Sequence, residues 1–263
     1  DAPVQGMDIL LYGERFSCFE GTLDHFEQEL DMRRGVYTRD ITWTSPKGKQ
    51  TKLLFSRLAS FDVQQLIVMQ VQITPINWSG SIQITSSQHG DVVQDFDLHD
   101  PRKASVGKKM IDVREAVIRD GVLLMTAQTT QSDLVMASAV THRSVPQLPA
   151  EYQTAGEVNE AVFTGAVEKN ESLTLTKYCV FTDARRFDHP KEDALALLEQ
   201  AAAADFADWA QKQQDYLNQF WHHAGASVTG DEGLNASLTW SMYTLLASAG
   251  RDGIGNIASK GLS

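Results

Sequence analysis

The chain has 263 residues, of which 42% are hydrophobic, so it can bury the core of one large domain, with or without a helical annex. Its formal net charge is −11 and its Lys and Arg residues form no concentrated stripe, which argues against partners such as nucleic acid or an anionic membrane surface. The longest apolar runs, such as residues 121–125, are far too short to cross a bilayer.

The two cysteines of the sequence indicate a reducing compartment. Cys18 and Cys179 each stand in an apolar, strand-like stretch, which favours reduced and buried thiols over a disulfide. We therefore expect a cytoplasmic protein. Three Asn-X-Ser sequons, at Asn77, Asn170 and Asn235, argue against this expectation, although such tripeptides arise easily by chance.

The first 187 residues carry the alternating pattern of β-strands. In residues 37–43, Tyr, Arg, Ile and Trp alternate with Thr and Asp, as in a strand with two unlike faces. A turn at 45–49 joins this strand to a second one at 51–57. Further strands are predicted at 65–74, 81–86, 110–118, 122–130, 134–141, 158–167 and 172–182. Many short strands without intervening helices favour antiparallel sheets, so we predict a mainly β fold with a large antiparallel β-sandwich over residues 1–187.

The hydrophobic period changes at Pro190, which suits the first position of a helix. Residues 193–204 are dense in Ala, Leu and Glu, which are good helix formers. A second helical segment, from Phe206 to Trp221, carries a mostly aromatic stripe at spacings of three and four. We assign residues 188–229 to a helical linker whose stripe packs against a neighbouring domain.

Residues 230–263 begin with a strongly apolar helix, which Asp231 can cap and Gly250 can end. A helix that is apolar on nearly all sides needs other helices to cover it, and the sequence contains too few of them. We therefore expect a helical domain that begins near Gly233 and continues beyond Ser263. The predicted inner face of the helix is wide and is formed by Leu234, Leu238, Trp240, Met242, Tyr243 and Leu245.

The residues alone show no recognisable catalytic constellation. His222 and His223 are adjacent, so on a helix their side chains point about 100° apart and cannot share one metal ion. No Gly-X-Ser-X-Gly elbow supports a serine nucleophile. The glycine-rich residues 250–255 follow a helix rather than a strand and lack a Gly-Lys-Ser/Thr ending, unlike a mononucleotide loop. We predict no metal and no organic cofactor.

Four stretches of the sequence, taken together, are typical of one family. Residues 12–16 read Tyr-Gly-Glu-Arg-Phe, and residues 30–36 read Leu-Asp-Met-Arg-Arg-Gly-Val before an Arg-Asp-Ile-Thr-Trp strand. Residues 74–80 read Thr-Pro-Ile-Asn-Trp-Ser-Gly, and residues 245–263 form an apolar helix end with a glycine-rich loop. In this order they resemble glycoside hydrolase family 65, which holds maltose, kojibiose, nigerose and trehalose phosphorylases and acid trehalases. The resemblance covers essentially the whole chain.

The resemblance implies an architecture and a reaction. The architecture is a β-sandwich of the super-sandwich type, then linker helices, then the first helix of an incomplete (α/α)6 barrel. The reaction is inverting phosphorolysis of an α-linked glucose disaccharide, with inorganic phosphate as co-substrate and β-glucose 1-phosphate as product. The resemblance also implies that the catalytic acid lies in the part of the barrel that this chain does not include, so no catalytic residue is assigned in this chain. A homodimer is implied as well.

The loop after the last helix is where we expect the substrate to come nearest. Arg251, Asp252, Lys260 and Gly261 are predicted to lie beside the substrate pocket. A structural role for Arg251 and Asp252, capping the helix or tying it to the β domain, stays open. Two other functions stay open too. The chain could be a non-catalytic carbohydrate-binding or dimerisation module, or it could be part of a trehalase-like hydrolase.

Overall fold

The computed structural model describes residues 6–93, 109–249, 251 and 253. Within these residues the chain forms thirteen strands and then three helices. The strands are β1 (Met7–Leu11), β2 (Glu14–Arg15), β3 (Thr22–Asp31), β4 (Val36–Thr44), β5 (Gln50–Ala59), β6 (Leu66–Pro75), β7 (Gly80–His89), β8 (Ile111–Arg119), β9 (Val122–Thr129), β10 (Val135–Val145), β11 (Ala150–Ala155), β12 (Val158–Val167) and β13 (Leu173–Asp183). The helices are α1 (Pro190–Ala202), α2 (Phe206–Ala224) and α3 (Glu232–Ser248).

The strands form two sheets, which we call the small sheet and the large sheet. The small sheet has the strand order β11-β12-β7-β1-β2, and the large sheet has the order β3-β4-β5-β6-β13-β10-β9-β8. The pairings between neighbouring strands in the described part of the chain are antiparallel. The predicted mainly β fold of antiparallel sheets is therefore confirmed.

A hydrophobic core fills the space between the two sheets. The small sheet contributes Ile84 and Phe163 to it, and the large sheet contributes Trp43 and Val71. The Trp43 ring is fully buried, and its indole N–H donates a hydrogen bond of 2.7 Å to the backbone carbonyl of Glu20. In β6, for example, the core residues Met69, Val71 and Ile73 alternate with half-buried polar residues, as the period-two pattern of the sequence predicts.

Helices α1 and α2 cover part of the large sheet on the face turned away from the small sheet. In β13, Tyr178 and Val180 belong to this helix-covered cluster, whereas Cys179 between them belongs to the core between the sheets. Leu198 of α1 and Trp209 of α2 are buried in the helix-covered cluster. The large sheet is therefore packed on both faces where the helices lie.

Helix α3 differs from α1 and α2 because little of its apolar surface is covered. The side chain of Asp231 caps the helix, as predicted, by accepting a 2.9 Å hydrogen bond from the N–H of Leu234. Among the described residues of α3 only Tyr243 is buried, while Trp240 and Leu245 are 54% and 56% exposed. Half of the six residues of the predicted inner face are thus exposed, namely Leu234, Trp240 and Leu245, whereas Leu238 and Met242 are half-buried. Gly250 lies outside the described residues.

Two further predictions concern the chain as a whole. Its division into residues 1–187, 188–229 and 230–263 stays a prediction, as does the assignment of α3 to an (α/α)6 barrel. None of the helices, as far as the chain is described, combines the length and the apolar character that a bilayer-crossing segment needs.

Candidate functional site at the Arg251 junction

The structure describes one of the four residues predicted to lie near a substrate, Arg251. Asp252, Lys260 and Gly261 lie outside the described residues. Arg251 follows α3 and lies where α2 and α3 meet the loop between β5 and β6. We call this place the Arg251 junction, and it is formed by Phe61, Gln213, Tyr216, Tyr243 and Arg251.

Phe61 is the aromatic centre of the Arg251 junction. It lies in the β5–β6 loop and is 6% exposed. Its ring stacks on Tyr216 of α2 with 5.7 Å between the ring centroids, and it meets Tyr243 of α3 edge to face at 5.8 Å. Both geometries are favourable for aromatic pairs because they bring positive ring edges or offset faces against negative ring faces. One side chain of the β region therefore contacts both helices.

Arg251 closes the junction from the other side. Its Nη1 donates a hydrogen bond of 2.7 Å to the backbone carbonyl of Phe61. Its guanidinium carbon lies 4.7 Å from the centroid of the Phe61 ring and 5.8 Å from that of Tyr216, within the range of cation–π attraction. These contacts connect the residue after α3 to the β domain. Its proximity to a substrate stays a prediction.

Gln213 of α2 supplies the polar contacts of the junction. Its side chain is 1% exposed, and its Oε1 accepts a hydrogen bond of 2.8 Å from the N–H of Phe61. Its Nε2 donates to the carbonyls of Ala59 at 2.9 Å and Gly35 at 3.3 Å. Gly35 has a φ of +63°, and a Cβ atom there would lie 2.6 Å from Nε2 of Gln213. Glycine is therefore required at position 35.

The chemistry of the junction is suited to positioning rather than to bond cleavage. Burial raises the pKa of Tyr243, and the charge of Asp31 raises it further, so the Tyr243 phenol keeps its proton at neutral pH. The junction otherwise offers aromatic rings, an amide and a guanidinium, none of which is a typical nucleophile. Within residues 6–93 and 109–249, no group of three or more His, Cys, Asp or Glu side chains could hold a metal ion.

A second group of titratable residues, which the sequence patterns did not reveal, lies between the two sheets. Lys177 of β13 is fully buried, and its Nζ donates to the carbonyls of Ser87 at 3.0 Å and Gly6 at 3.5 Å. Burial lowers the pKa of Lys177 to about 8. The two carbonyls are backbone acceptors, so the lysine is held between the sheets by hydrogen bonds and not by a carboxylate among the described residues.

His142 of β10 lies directly opposite Lys177 in the register of the large sheet. Its pKa is well below its usual value, first because of burial and second because of the positive charge of Lys177. Its Nε2 is hydrogen-bonded to the hydroxyl of Ser86 at 2.8 Å, whereas its Nδ1 is buried without a partner in the described part of the chain. In the sequence, Lys177 stands two residues after Leu175 and two before Cys179, so in a strand all three side chains point to the same face. A lysine between two apolar residues at this spacing was the signal that could have revealed the pair.

The stretches 12–16 and 74–80, which carry part of the family resemblance, meet in space. The Tyr12 and Trp78 rings lie 6.3 Å apart, and the Nζ of Lys49 lies 3.8 Å from the centroid of the Tyr12 ring. The indole N–H of Trp78 donates to the hydroxyl of Thr51 at 2.9 Å. A Cβ at position 80 would lie 2.3 Å from the Tyr12 ring, so Gly80 allows the close approach. These motif residues thus have a packing role.

The sequence is similar to those of known disaccharide phosphorylases. The family model for glycosyl hydrolase family 65, N-terminal domain, matches residues 4–220. An α,α-trehalose phosphorylase of Geobacillus stearothermophilus is 36% identical over 95% of this chain and 32% of its own length. One of Thermoanaerobacter brockii is 32% identical over 97% and 34%. A kojibiose phosphorylase of Halothermothrix orenii is 26% identical over 98% and 34%.

The fold is similar to that of a solved structure as well. A human-microbiome protein assigned as a kojibiose phosphorylase superposes with a TM-score of 0.83 over 94% of this chain and 31% of its own length. The sequence identity between the two is 15%, so this likeness concerns the fold alone. The chain spans about a third of the length of the curated relatives that it matches.

Proposed function

The chain belongs to glycosyl hydrolase family 65, and we propose that it is the N-terminal part of an inverting disaccharide phosphorylase. The two relatives at 36% and 32% identity are α,α-trehalose phosphorylases, which supports α,α-trehalose as the sugar. In the proposed reaction a general acid protonates the glycosidic oxygen while inorganic phosphate attacks the opposite face of the glucosyl ring. The products are β-glucose 1-phosphate and glucose. We expect the acid in the part of the enzyme that this chain does not contain.

The observation that carries the proposal for this chain is the uncovered surface of α3. Leu234, Trp240 and Leu245 are 43%, 54% and 56% exposed. Burying one such large apolar side chain contributes about 1.5–3 kcal/mol, so a helix of this kind favours a covering partner. The relatives are about three times as long as the segment that this chain matches. We infer that helices from the C-terminal two-thirds of the enzyme cover α3.

The Arg251 junction has a role in this proposal. It joins the end of α3 to the β domain through Phe61, so that the following loop would begin from a fixed position. Such positioning matters because a displacement of about 1 Å in an active site can cost about a hundredfold in rate. We propose that Arg251, Asp252, Lys260 and Gly261 lie at the edge of the substrate pocket.

The proposed reaction can be tested with the full-length enzyme. Incubation with α,α-trehalose and inorganic phosphate is expected to release equal amounts of glucose and glucose 1-phosphate, and proton NMR of the first products should show the β anomer. The 263-residue chain alone is expected to release neither product, because we expect the catalytic acid in the rest of the enzyme. A reaction mixture with sulfate in place of phosphate is the matched control.

Three results would contradict the proposal. Release of glucose without phosphate would identify a trehalase-like hydrolase instead. Phosphate-dependent turnover by the 263-residue chain would show that its own residues carry the catalysis, and millimolar or tighter binding of trehalose without turnover would favour a carbohydrate-binding module.

We further propose that the enzyme is cytoplasmic and forms a homodimer. The two cysteines, Cys18 and Cys179, are both free thiols, which supports a reducing compartment. Burial raises the pKa of the Cys179 thiol to about 12, so it is unreactive at neutral pH. Sedimentation equilibrium of the full-length enzyme measures the oligomeric state directly.

A further inference from the structure

Two adjacent arginines lie in the turn between β3 and β4, within one of the four stretches that are typical of the family. β3 ends at Asp31 and β4 begins at Val36, so residues 32–35 form the turn, which we call the arginine turn. Arg33 and Arg34 are both exposed. The packing contacts of the β domain therefore leave their guanidinium groups in solvent.

The backbone of the arginine turn is fixed by hydrogen bonds. The Oδ1 of Asp31 accepts from the N–H of Arg33 at 2.9 Å and from that of Arg34 at 3.1 Å. The N–H of Gly35 donates to the carbonyl of Asp31 at 2.7 Å, and the carbonyl of Gly35 accepts from Gln213 of α2 at 3.3 Å. The two arginines thus project from a pre-organised turn, which lowers the entropy cost of binding a partner.

The guanidinium groups of Arg33 and Arg34 are not engaged within the described part of the chain. Neither forms a hydrogen bond or an ion pair there, and the carboxylate of Asp31 accepts from backbone N–H groups instead. Arg15 and Arg119, by contrast, form ion pairs with nearby carboxylates. A solvated arginine needs no partner, so the position of the turn decides what these two arginines bind.

The arginine turn borders α3 and the Arg251 junction. Met32 of the turn packs in the same cluster as Phe61, Tyr243 and Leu246, two of which belong to α3. The carbonyl of Met32 also accepts a hydrogen bond of 3.1 Å from the indole N–H of Trp221 of α2. The unengaged charges therefore lie next to the helix whose apolar surface is largely uncovered.

We propose that the arginine turn is a docking site for an acidic segment of the C-terminal two-thirds of the enzyme, whose carboxylates pair with Arg33 and Arg34. The inference rests on the proposed function, in which helices from that part of the enzyme cover α3. A guanidinium group binds a carboxylate through two parallel N–H donors, which fixes the orientation of the segment as well as its position.

The composition of this surface is typical of a protein interface. Such interfaces combine an apolar centre with a polar rim, and aromatic residues and arginine are enriched in them. The exposed Trp240 and Leu245 of α3 supply the apolar centre, and the arginine turn supplies the rim. Because the chain has a net charge of −11, most of its surface repels an acidic segment, so the two arginines select where that segment binds.

Carbodiimide cross-linking of the full-length enzyme identifies the partner. Arg33→Lys and Arg34→Lys each place a primary amine in the turn, and carbodiimide joins an amine to a carboxylate only where the two are in contact. Digestion and mass spectrometry are expected to find position 33 or 34 bonded to an Asp or Glu beyond residue 263 of the same subunit. Arg114→Lys is the matched control, because Arg114 lies in β8, at the opposite edge of the large sheet from β3.

The cross-links also decide against other partners. Links only to carboxylates within residues 1–263 would overturn the proposal, and so would the absence of a link at both positions. Links between subunits, which run at twice the subunit mass on a denaturing gel, would assign the turn to a subunit interface and overturn it too. If the cross-link forms but the wild-type enzyme cleaves trehalose without phosphate, the proposed reaction fails and the docking site stands.

Charge reversal gives an independent measurement. The double substitution Arg33→Glu and Arg34→Glu is expected to lower the Tm of the full-length enzyme by at least about 3 °C, and by less at high salt, because salt screens the pairs. In the 263-residue chain the same double substitution is expected to shift the Tm by less than about 1 °C, since both side chains are exposed there. Equal shifts in the two proteins would confine the role of the arginines to the β domain and overturn the proposal.

Discussion

Replacing Phe61 with alanine is expected to lower the free energy of unfolding by about 3–5 kcal/mol, the usual cost of removing a buried aromatic side chain. The Phe61 ring is 6% exposed and contacts Tyr216 and Tyr243, and Arg251 loses its cation–π contact when the ring is removed. These contacts join Phe61 to α2, to α3 and to Arg251, so the substitution removes the central packing contacts of the Arg251 junction. Urea unfolding of the 263-residue chain, followed by circular dichroism, measures the effect.

Phe19 offers a matched control for this prediction. It lies in the loop between β2 and β3 and is 99% exposed, so Phe19→Ala is the same chemical change without loss of packing. We expect Phe19→Ala to change the free energy of unfolding by less than about 0.5 kcal/mol. If the two variants lost the same stability, the junction would not contribute to the fold as described.

Replacing Lys177 with methionine is expected to change how stability depends on pH. The pKa of Lys177 falls from 10.5 to about 8 on folding, because burial penalises the charged amine. Between these values the unfolded chain binds more protons than the folded chain, so this lysine makes wild-type stability rise with pH. A difference of this size corresponds to about 3 kcal/mol across the window from pH 8 to pH 10.5.

The comparison with the Lys177→Met variant isolates this effect. Other groups titrate in the same window with the opposite sign, among them the Cys179 thiol, whose pKa is raised to about 12. Subtracting the wild-type free energy of unfolding from that of the variant removes the contribution of groups that do not interact with Lys177, and making both proteins in a Cys179→Ala background removes that of the neighbouring thiol. We expect the difference to fall by about 3 kcal/mol, in favour of wild type, as pH rises from 8 to 10.5. Parallel profiles of wild type and variant would contradict the burial of a charged amine.

Most strands with a buried face could be predicted from the sequence, whereas two exposed edge strands could not. The rule has exceptions, because the edge strand β8 was predicted and the inner strand β1 was not. The predicted strand 158–167 coincides with β12, which is an inner strand of the small sheet. By contrast β3 and β11 were not predicted, although β3 is ten residues long. Both are edge strands with mostly exposed side chains, so their sequences lack the alternation of apolar and polar residues. The alternation of apolar and polar residues reflects the burial of one strand face, which β3 and β11 lack.

The Arg251 junction could be predicted only in part for a related reason. The helical spacing placed Gln213 in the buried stripe of α2, and this position is confirmed. Periodicity identifies which face is buried but not what it contacts, so the three backbone partners of Gln213 could not be foreseen. A polar residue inside an apolar stripe was the available signal, because a buried amide needs hydrogen-bond partners. Asp252, Lys260 and Gly261 stay predictions.

The hydrogen bonds of Gln213 also bear on the order of folding. They join residues 152, 154 and 178 positions apart in the chain, whereas the β3–β4 and β4–β5 hairpins that they connect are local. Closing such long loops is entropically costly, so local hairpins are expected to form first and α2 to dock late. Contacts made after the folding barrier slow unfolding without speeding folding. We therefore expect the hydrogen bonds of Gln213 to slow unfolding more than they speed folding.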